Sequence, residues 1–278
     1  MSKVFIVYAH PEAQSLNGSL KDLAVRTLSS QGHEVRVSDL YAMRFKAVAD
    51  GDDFMDRQNR ERLFYNRESN HAFVSGTQTP DVSAEQEKLL WADAVIFQFP
   101  LWWFSMPAIL KGWVDRVFAR GFAYAVGVHG GGKFGIRYGD GALKGRRSML
   151  SITVGGKVPH YAARGVNGAL GDLLFHIQHG ILYYPGMDVL PPFVVYESVR
   201  LTEDQYAAYA ERYAARLKRL FADAPIPYRP QNGGQYDDEQ SLLLGLGTGA
   251  AGTDIHIRQP GEEAARKNID HAAKFISS

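Results

Sequence analysis

The sequence predicts an α/β fold built on a doubly wound parallel sheet, and three observations carry that expectation. Short runs of β-branched and aromatic residues recur along residues 1–222, amphipathic segments at helical spacing separate them, and the apolar runs are continuous rather than alternating. A continuous run marks a strand covered on both faces, as in a parallel sheet sandwiched by helices. Length agrees: 278 residues make one large domain, or a domain with an appendage, and exclude a small disulfide or zinc module.

The first run, Val4 to Ala9, is expected to be a central strand. It is too short to cross a membrane and meets His10-Pro11 at once, which does not suit a signal peptide. Ser15 then opens a helix with Leu16, Leu20, Leu23, Ala24 and Leu28 on one face, closed by Gly32, the residue best suited to the left-handed conformation past a helix end. Glu34 to Val37 is a second strand, so the first forty residues form a right-handed βαβ unit. From Val48 to Pro80 the chain is polar and crowded with Asp52, Asp53, Asp56, Arg57, Arg60 and Glu61, and reads as a long excursion.

A helix follows Pro80-Asp81 with Val82, Gln86, Leu89 and Leu90, leading into a third buried strand at Ala94 to Phe99. Ala108 to Phe118 carries a broad apolar stripe and is helical. Ser148 to Thr153 is a fourth strand and Leu170 to Tyr184 a helix. Met187 to Tyr196 is a fifth strand, broken by Pro191-Pro192 and therefore suited to a sheet edge. Thr202 and Gln205 form a capping box for a helix reaching about Phe221. Beyond residue 222 the composition changes: Pro225, Pro227 and Pro230 come first, glycines recur between Gly245 and Gly252, and only Glu262 to Ile276 reads as helical. This C-terminal extension, 223–278, is expected to pack on the main domain, 1–222, or on a second subunit.

Composition excludes several chemistries. Thirty-one basic against thirty acidic side chains leave a net charge of +1, with no electrostatic footprint for nucleic acid or an anionic membrane. With no cysteine, disulfides, thiol nucleophiles, thiolate zinc sites and cysteine-held iron–sulfur clusters are impossible, which fits a cytoplasmic protein. No G-x-G-x-x-G follows the first strand, no P-loop or G-x-S-x-G elbow occurs, and the run Gly130 to Gly132 before Lys133-Phe134 reads as a flexible surface loop. His176 and His179 stand three apart on an apolar helix without a third ligand at matching spacing, so packing or an interface explains them better than a metal.

In open α/β sheets a ligand lies beyond the carboxyl ends of the strands, where the strand order reverses. Three loops fall there. The first holds His10, Ser15 and Asn17 at a helix start, a pattern that serves a phosphate site or simply a helix cap beside a bystander histidine. The second, Pro100 to Pro107, places Trp102, Trp103 and Phe104 where a planar heteroaromatic ligand would lie. The third, Thr153-Val154-Gly155-Gly156, offers peptide N–H groups with little side chain in the way, suited to the edge of a flat ring carrying negative charge.

At these residues the chain resembles the NAD(P)H:quinone oxidoreductase family, the DT-diaphorase type of FAD enzyme with a flavodoxin-like fold. The most specific stretch runs from Val95 through Gln98, Pro100, Trp103, Pro107 and Lys111 to Trp113, with further matches at Tyr8 to His10, Ser15 to Asn17, Ser38 to Met43, Phe122 to Tyr124 and Leu150 to Gly156. The resemblance covers roughly residues 1–222 and implies a five-stranded sheet. It places His10, Leu16 and Asn17 at the FAD phosphates, Pro100 and Leu101 to Phe104 along the isoalloxazine, and Thr153 to Gly156 with Tyr161 at the pyrimidine side. Glu203 falls at a FAD-contacting acidic position, and Ala123, Tyr124 and Ala125 match the substrate-contacting stretch.

The implied catalytic set is Tyr161, Gly156 and Asn167, in two-electron reduction of a quinone by NADH or NADPH through a ping-pong mechanism in a homodimer. FAD is favoured over FMN as cofactor, with no metal, nucleic acid or membrane partner. The sequence departs from the family pattern at four positions. Asn167 replaces a histidine, Val126 a substrate-side tyrosine, Phe64 a FAD-contacting glutamine and Tyr206 an arginine near the adenosine. A different class, a flavodoxin-like ancillary subunit of a transporter or another partner, would bind flavin with little turnover of its own.

Overall fold

The computed structural model describes residues 1–130, 133–260 and 262. Five parallel ladders order the main sheet. Strands β1 (Lys3–Tyr8), β2 (Glu34–Asp39) and β3 (Ala94–Pro100) stand in the order β2-β1-β3. A small antiparallel pair, β4 (His129–Gly130) and β5 (Lys133–Phe134), flanks the glycine run, so the residues expected in a free loop include a short hairpin. Strand β6 (Arg147–Thr153) lies beside β3, and β7 (Asp188–Val189) and β8 (Phe193–Val195) both pair with β6 at the rim. Pro191-Pro192 separates these two, because proline gives no N–H to a ladder.

The alternation of side chains explains the layering. Val4 and Ile6 of β1 point to the face covered by α1 (Leu16–Ser30) and α6 (Glu203–Lys218), where Leu20, Ala24, Leu28, Tyr213 and Leu217 are buried. Phe5 and Val7 point to the other face, covered by α3 (Pro80–Trp91), α4 (Ala108–Val117) and α5 (Leu170–Ile177) through Leu89, Leu110, Trp113, Leu174 and Ile177. The chain leaves β1 for one face and β3 for the other, so the strand order reverses between them. Ser15 caps α1 by accepting from the Gly18 N–H, and Thr202 and Gln205 form the expected capping box of α6. The helix expected over 170–184 is α-helical only to Ile177; Gln178–Tyr183 continues with π-type turns.

The polar excursion differs most from its sequence reading. It contains α2 (Tyr65–Ser75), and two of its acids are buried, Asp53 at 4% and Glu68 at 1% exposure. Asp53 Oδ1 accepts from Arg116 Nε at 2.8 Å and from Lys46 Nζ at 2.9 Å, while its Oδ2 accepts from the Tyr65 hydroxyl at 2.8 Å. Arg116 also reaches Asp81 at 2.6 Å and the Lys46 carbonyl at 2.9 Å, which ties the excursion to α3 and α4. The close seat of α4 requires Gly112, whose Cβ, if added, would stand 2.0 Å from the Ala47 carbonyl oxygen. Gly112→Ala is therefore expected to cost about 1–3 kcal/mol by overpacking, read as a lowered melting temperature; an unchanged melt would mean that this contact yields freely.

Residues 223–260 lie against the α5 face. Ile226 N–H bonds to the Val189 carbonyl at 2.7 Å, Tyr228 joins the core cluster there, and Thr253 Oγ1 donates to Asp172. The helix expected over Glu262 to Ile276 lies outside the described residues apart from Glu262. No helix among the described residues is long and apolar enough to cross a membrane.

Candidate functional site

Because β1, β3, β6 and β8 are parallel, the loops after them emerge on one edge of the sheet. A buried chain of side chains fixes three of these loops to one another. Gln98 Nε2 donates to Asn17 Oδ1 at 2.8 Å, and Asn17 Nδ2 donates to Thr153 Oγ1 at 2.9 Å, with all three residues at or below 4% exposure. Each amide can bond only if its neighbours hold register, so the chain acts as a ruler across the start of α1, β3 and β6. Backbone bonds support it, with Ala9 N–H to the Gln98 carbonyl at 3.0 Å and Leu101 N–H to the Thr153 carbonyl at 2.9 Å.

At the start of α1 the Gly18 N–H is used by Ser15, whereas those of Leu16 and Asn17 sit at the open end of the helix, where intrahelical acceptors are lacking. With the helix dipole they form an anion seat, flanked by half-buried His10, whose ring lies 6.1 Å from that of Trp102. Pro100 is buried and Leu101 half-buried, but the following aromatics turn outward: Trp102 is 42%, Trp103 95% and Phe104 43% exposed. Trp103 and Phe104 have φ of 49° and 59°, in the left-handed region that bulky residues avoid. The loop is pinned by a Trp102–Ser105 bridge and by a 3.1 Å hydrogen bond between Ser105 Oγ and His176 Nε2 of α5. A core role for Trp103 is thereby excluded.

Past β6, Val154 is buried, Gly155 is exposed with open space where a Cβ would project, and Gly156 turns against Tyr161. A Cβ on Gly156 would come within 3.0 Å of the Tyr161 ring and 3.5 Å of its hydroxyl, so only glycine lets the phenol approach this backbone. Burial pushes the Tyr161 hydroxyl above its ordinary range, and the Asn167 side chain beside it pulls in the opposite direction. The result is a protonated phenol at neutral pH. Asn167 is held by its own N–H bond to the His160 carbonyl at 3.0 Å.

Ala123 is buried, while Tyr124, Ala125 and Val126 are half-buried, and burial raises the Tyr124 hydroxyl. Glu203 is exposed in the first turn of α6, with Tyr206 half-buried one turn on, and Phe64 immediately precedes α2. Gln98, Ser105 and His176 join the expected residues here, Gln98 through Asn17 and the other two through their mutual hydrogen bond. Gln98 alone had a legible signal, as the one polar residue inside Val95 to Phe99. The donor set suits a flavin on structural grounds: a helix-end anion seat, outward aromatic faces, and a bare Gly155 beside a phenol donor.

A family model described as a flavodoxin-like fold matches residues 2–217. A ribosyldihydronicotinamide dehydrogenase-like protein of Penicillium crustosum is 50% identical over 258 residues, covering 92% of this chain and 96% of that protein. NAD(P)H dehydrogenase [quinone] 1 of Rattus norvegicus is 38% identical over 231 residues, covering 83% and 81%. A solved structure from Klebsiella pneumoniae, provisionally described as a quinone reductase, is 52% identical with a TM-score of 0.90, covering 92% of this chain and all of that one. With that family model spanning most of its length and relatives of this similarity aligned nearly end to end, the chain belongs to the NAD(P)H:quinone oxidoreductase family of flavodoxin-like proteins.

Proposed function

We propose that this protein is a flavin-dependent oxidoreductase that takes two electrons from a reduced nicotinamide and passes them to a quinone. FAD is its cofactor, a homodimer its working form, and the two substrates take turns in one pocket. The observation that carries this reading is the outward-turned Trp103-Phe104 pair. Two consecutive left-handed bulky residues are held against their preference at the edge where the sheet order reverses, and such strain persists where a site requires it.

When bound, the flavin supplies the two-electron carrier chemistry. The chain supplies position and charge balance. Leu16 and Asn17 N–H groups with His10 would hold the phosphates, Leu101 to Phe104 would bound the ring system, and Glu203 would contact the FAD from the first turn of α6. Thr153 and Val154 set the height of the loop after β6, and the Gly155 and Gly156 N–H groups with the Tyr161 hydroxyl would face the polar edge of the ring system and offset negative charge there. Ala123 to Ala125 border the substrate. Trp102, Trp103 and Phe104 present a wide aromatic surface that a second copy would cover, which supports the homodimer.

The name of the Penicillium relative points to a ribosyl dihydronicotinamide donor and that of the rat relative to NAD(P)H, so donor choice is an experimental question with three arms. Purified protein is expected to be yellow, to release FAD on heating, and to reduce a quinone with parallel double-reciprocal plots when assayed with NADH, NADPH or ribosyl dihydronicotinamide. A colourless preparation that takes up neither FAD nor FMN would sink the proposal; released FMN would correct the cofactor alone. Flavin retained with no turnover by any donor would point to an ancillary subunit.

Trp103→Ala offers a second check. Because the side chain is 95% exposed, melting of the flavin-free protein should be within about 0.5 kcal/mol of wild type, as for other surface changes. Flavin affinity should nevertheless fall measurably. A variant that keeps full flavin and full rate would remove Trp103 from the site.

A further inference from the structure

A half-open cleft lies on the far side of α5, between the π-type turns and the C-terminal extension. It has a volume of about 380 Å³, and none of the residues of the loops after β1, β3 and β6 lines it. Its walls are flat. The His179 ring is sandwiched between Phe175, at 4.5 Å and 11° between planes, and Tyr138, at 4.7 Å and 23°. His256 adjoins this stack, 5.6 Å from the Phe175 ring and 5.8 Å from the His179 ring, and carries Tyr236 nearly parallel to it at 17°, joined by a 2.9 Å hydrogen bond between the phenol oxygen and Nδ1.

The lining of the cleft is cationic, with one of its two guanidinium groups, that of Arg229, already paired to Glu262. Arg137 and Arg229 line the cavity, and no carboxylate does so among its described lining residues. Arg229 is wholly buried: its Nε donates to the Ile255 carbonyl at 2.8 Å and one Nη2 contact reaches Glu262 at 2.7 Å. Its Nη1 has no hydrogen-bond partner among the described residues, and neither has His179 Nε2. Two buried polar atoms without partners at one cavity are costly unless something fills them. Burial holds His179 at a pKa of about 4, helped by neighbouring His256, so the imidazole is neutral at physiological pH and the positive charge there is guanidinium alone.

We propose that this cavity is a ligand site, separate from the flavin site, for a planar aromatic carboxylate, with the carboxylate toward Arg229 and Arg137 and the ring between the aromatic walls. The guanidinium fork matches a carboxylate in plane and spacing, and the aromatic side chains lining the cleft offer apolar surface to a flat body. Nothing in this assignment depends on flavin chemistry.

Calorimetric titration of the flavin-loaded full chain with benzoate, and with benzamide as its neutral counterpart, tests it. Benzoate should bind saturably at one site per chain, and benzamide at least tenfold more weakly. Arg137→Gln, at a half-buried position, should weaken benzoate at least tenfold without disturbing the fold, and Arg229→Met should abolish binding if it folds. Absence of saturable binding up to about 10 mM, a range in which even weak aromatic anions register, would overturn the proposal. Equal binding of benzamide would do the same. Benzoate affinity unchanged in Arg137→Gln would place the ligand elsewhere and also overturn it.

Discussion

Tyr161→Phe is expected to slow reduction of the bound flavin by roughly 10- to 100-fold, since a hydrogen bond to a charged group is worth about 1.5–3 kcal/mol and each 1.36 kcal/mol is a factor of ten. Removing the hydroxyl leaves ring packing against Gly156 and Tyr196 in place, so the loss should fall on rate rather than fold. Burial raises the Tyr161 pKa above its ordinary value, so the donating form persists through neutral and mildly alkaline pH. Asn167, next to it, does not titrate. Asn167→His should therefore add an inflection near about pH 6.5, the ordinary histidine range, that wild type lacks. Stopped-flow reduction across pH 5.5 to 9 reads both effects, and the pH arm fails if the Asn167→His profile superimposes on that of wild type. An undiminished rate in Tyr161→Phe would remove the phenol from charge stabilisation.

Asp53→Ala should be the most destabilising single change in the polar excursion, at about 3–5 kcal/mol, the cost of breaking a buried ion pair from one side. Arg116, with 1% of its side chain exposed, would lose its Nε partner, and Lys46 and the Tyr65 hydroxyl would each lose an acceptor. Asp56→Ala is the control. Its side chain is 66% exposed and pairs only at 3.6 Å with His71, so its loss should stay within about 0.5 kcal/mol. Urea unfolding of both variants decides the matter, and equal midpoints would mean that the Asp53 cluster is energetically idle.

These two residues mark what a sequence can and cannot reveal here. The sheet was legible because burial on both faces leaves runs such as Val4 to Ala9 and Val95 to Phe99 nothing polar to confuse the pattern, apart from Gln98. The edge position of the fifth strand was written in Pro191-Pro192, and both main caps in Ser15 and Thr202. The excursion was opaque because Asp53 looks like its neighbours Asp52 and Asp56 in composition; only the approach of Arg116, 63 residues later, makes it an interior group. The place of Trp103 in a ligand-facing loop was legible from the strand end before it and from Pro100 and Pro107, whereas its left-handed backbone was hidden, since that conformation has no signature at Trp-Phe. Pairings such as Ser105 with His176 and Phe175 with His256 depend on long-range closure that periodicity does not encode.

The two rims of the sheet also decide how copies of this protein can meet. At one rim β7 and β8 are two and three residues long, divided by Pro191-Pro192; at the other, β2 carries Glu34, Arg36 and Asp39, with Arg36 laid over the Trp91 ring. The first rim is too short and broken to template a foreign strand, and at the second the six-residue outer edge of β2 carries charges of both signs, which disfavours strand addition. Self-association is thereby steered toward shape and side chain rather than strand addition. Growth through shared main-chain ladders is stopped at the proline-divided rim and disfavoured by charge at the β2 rim.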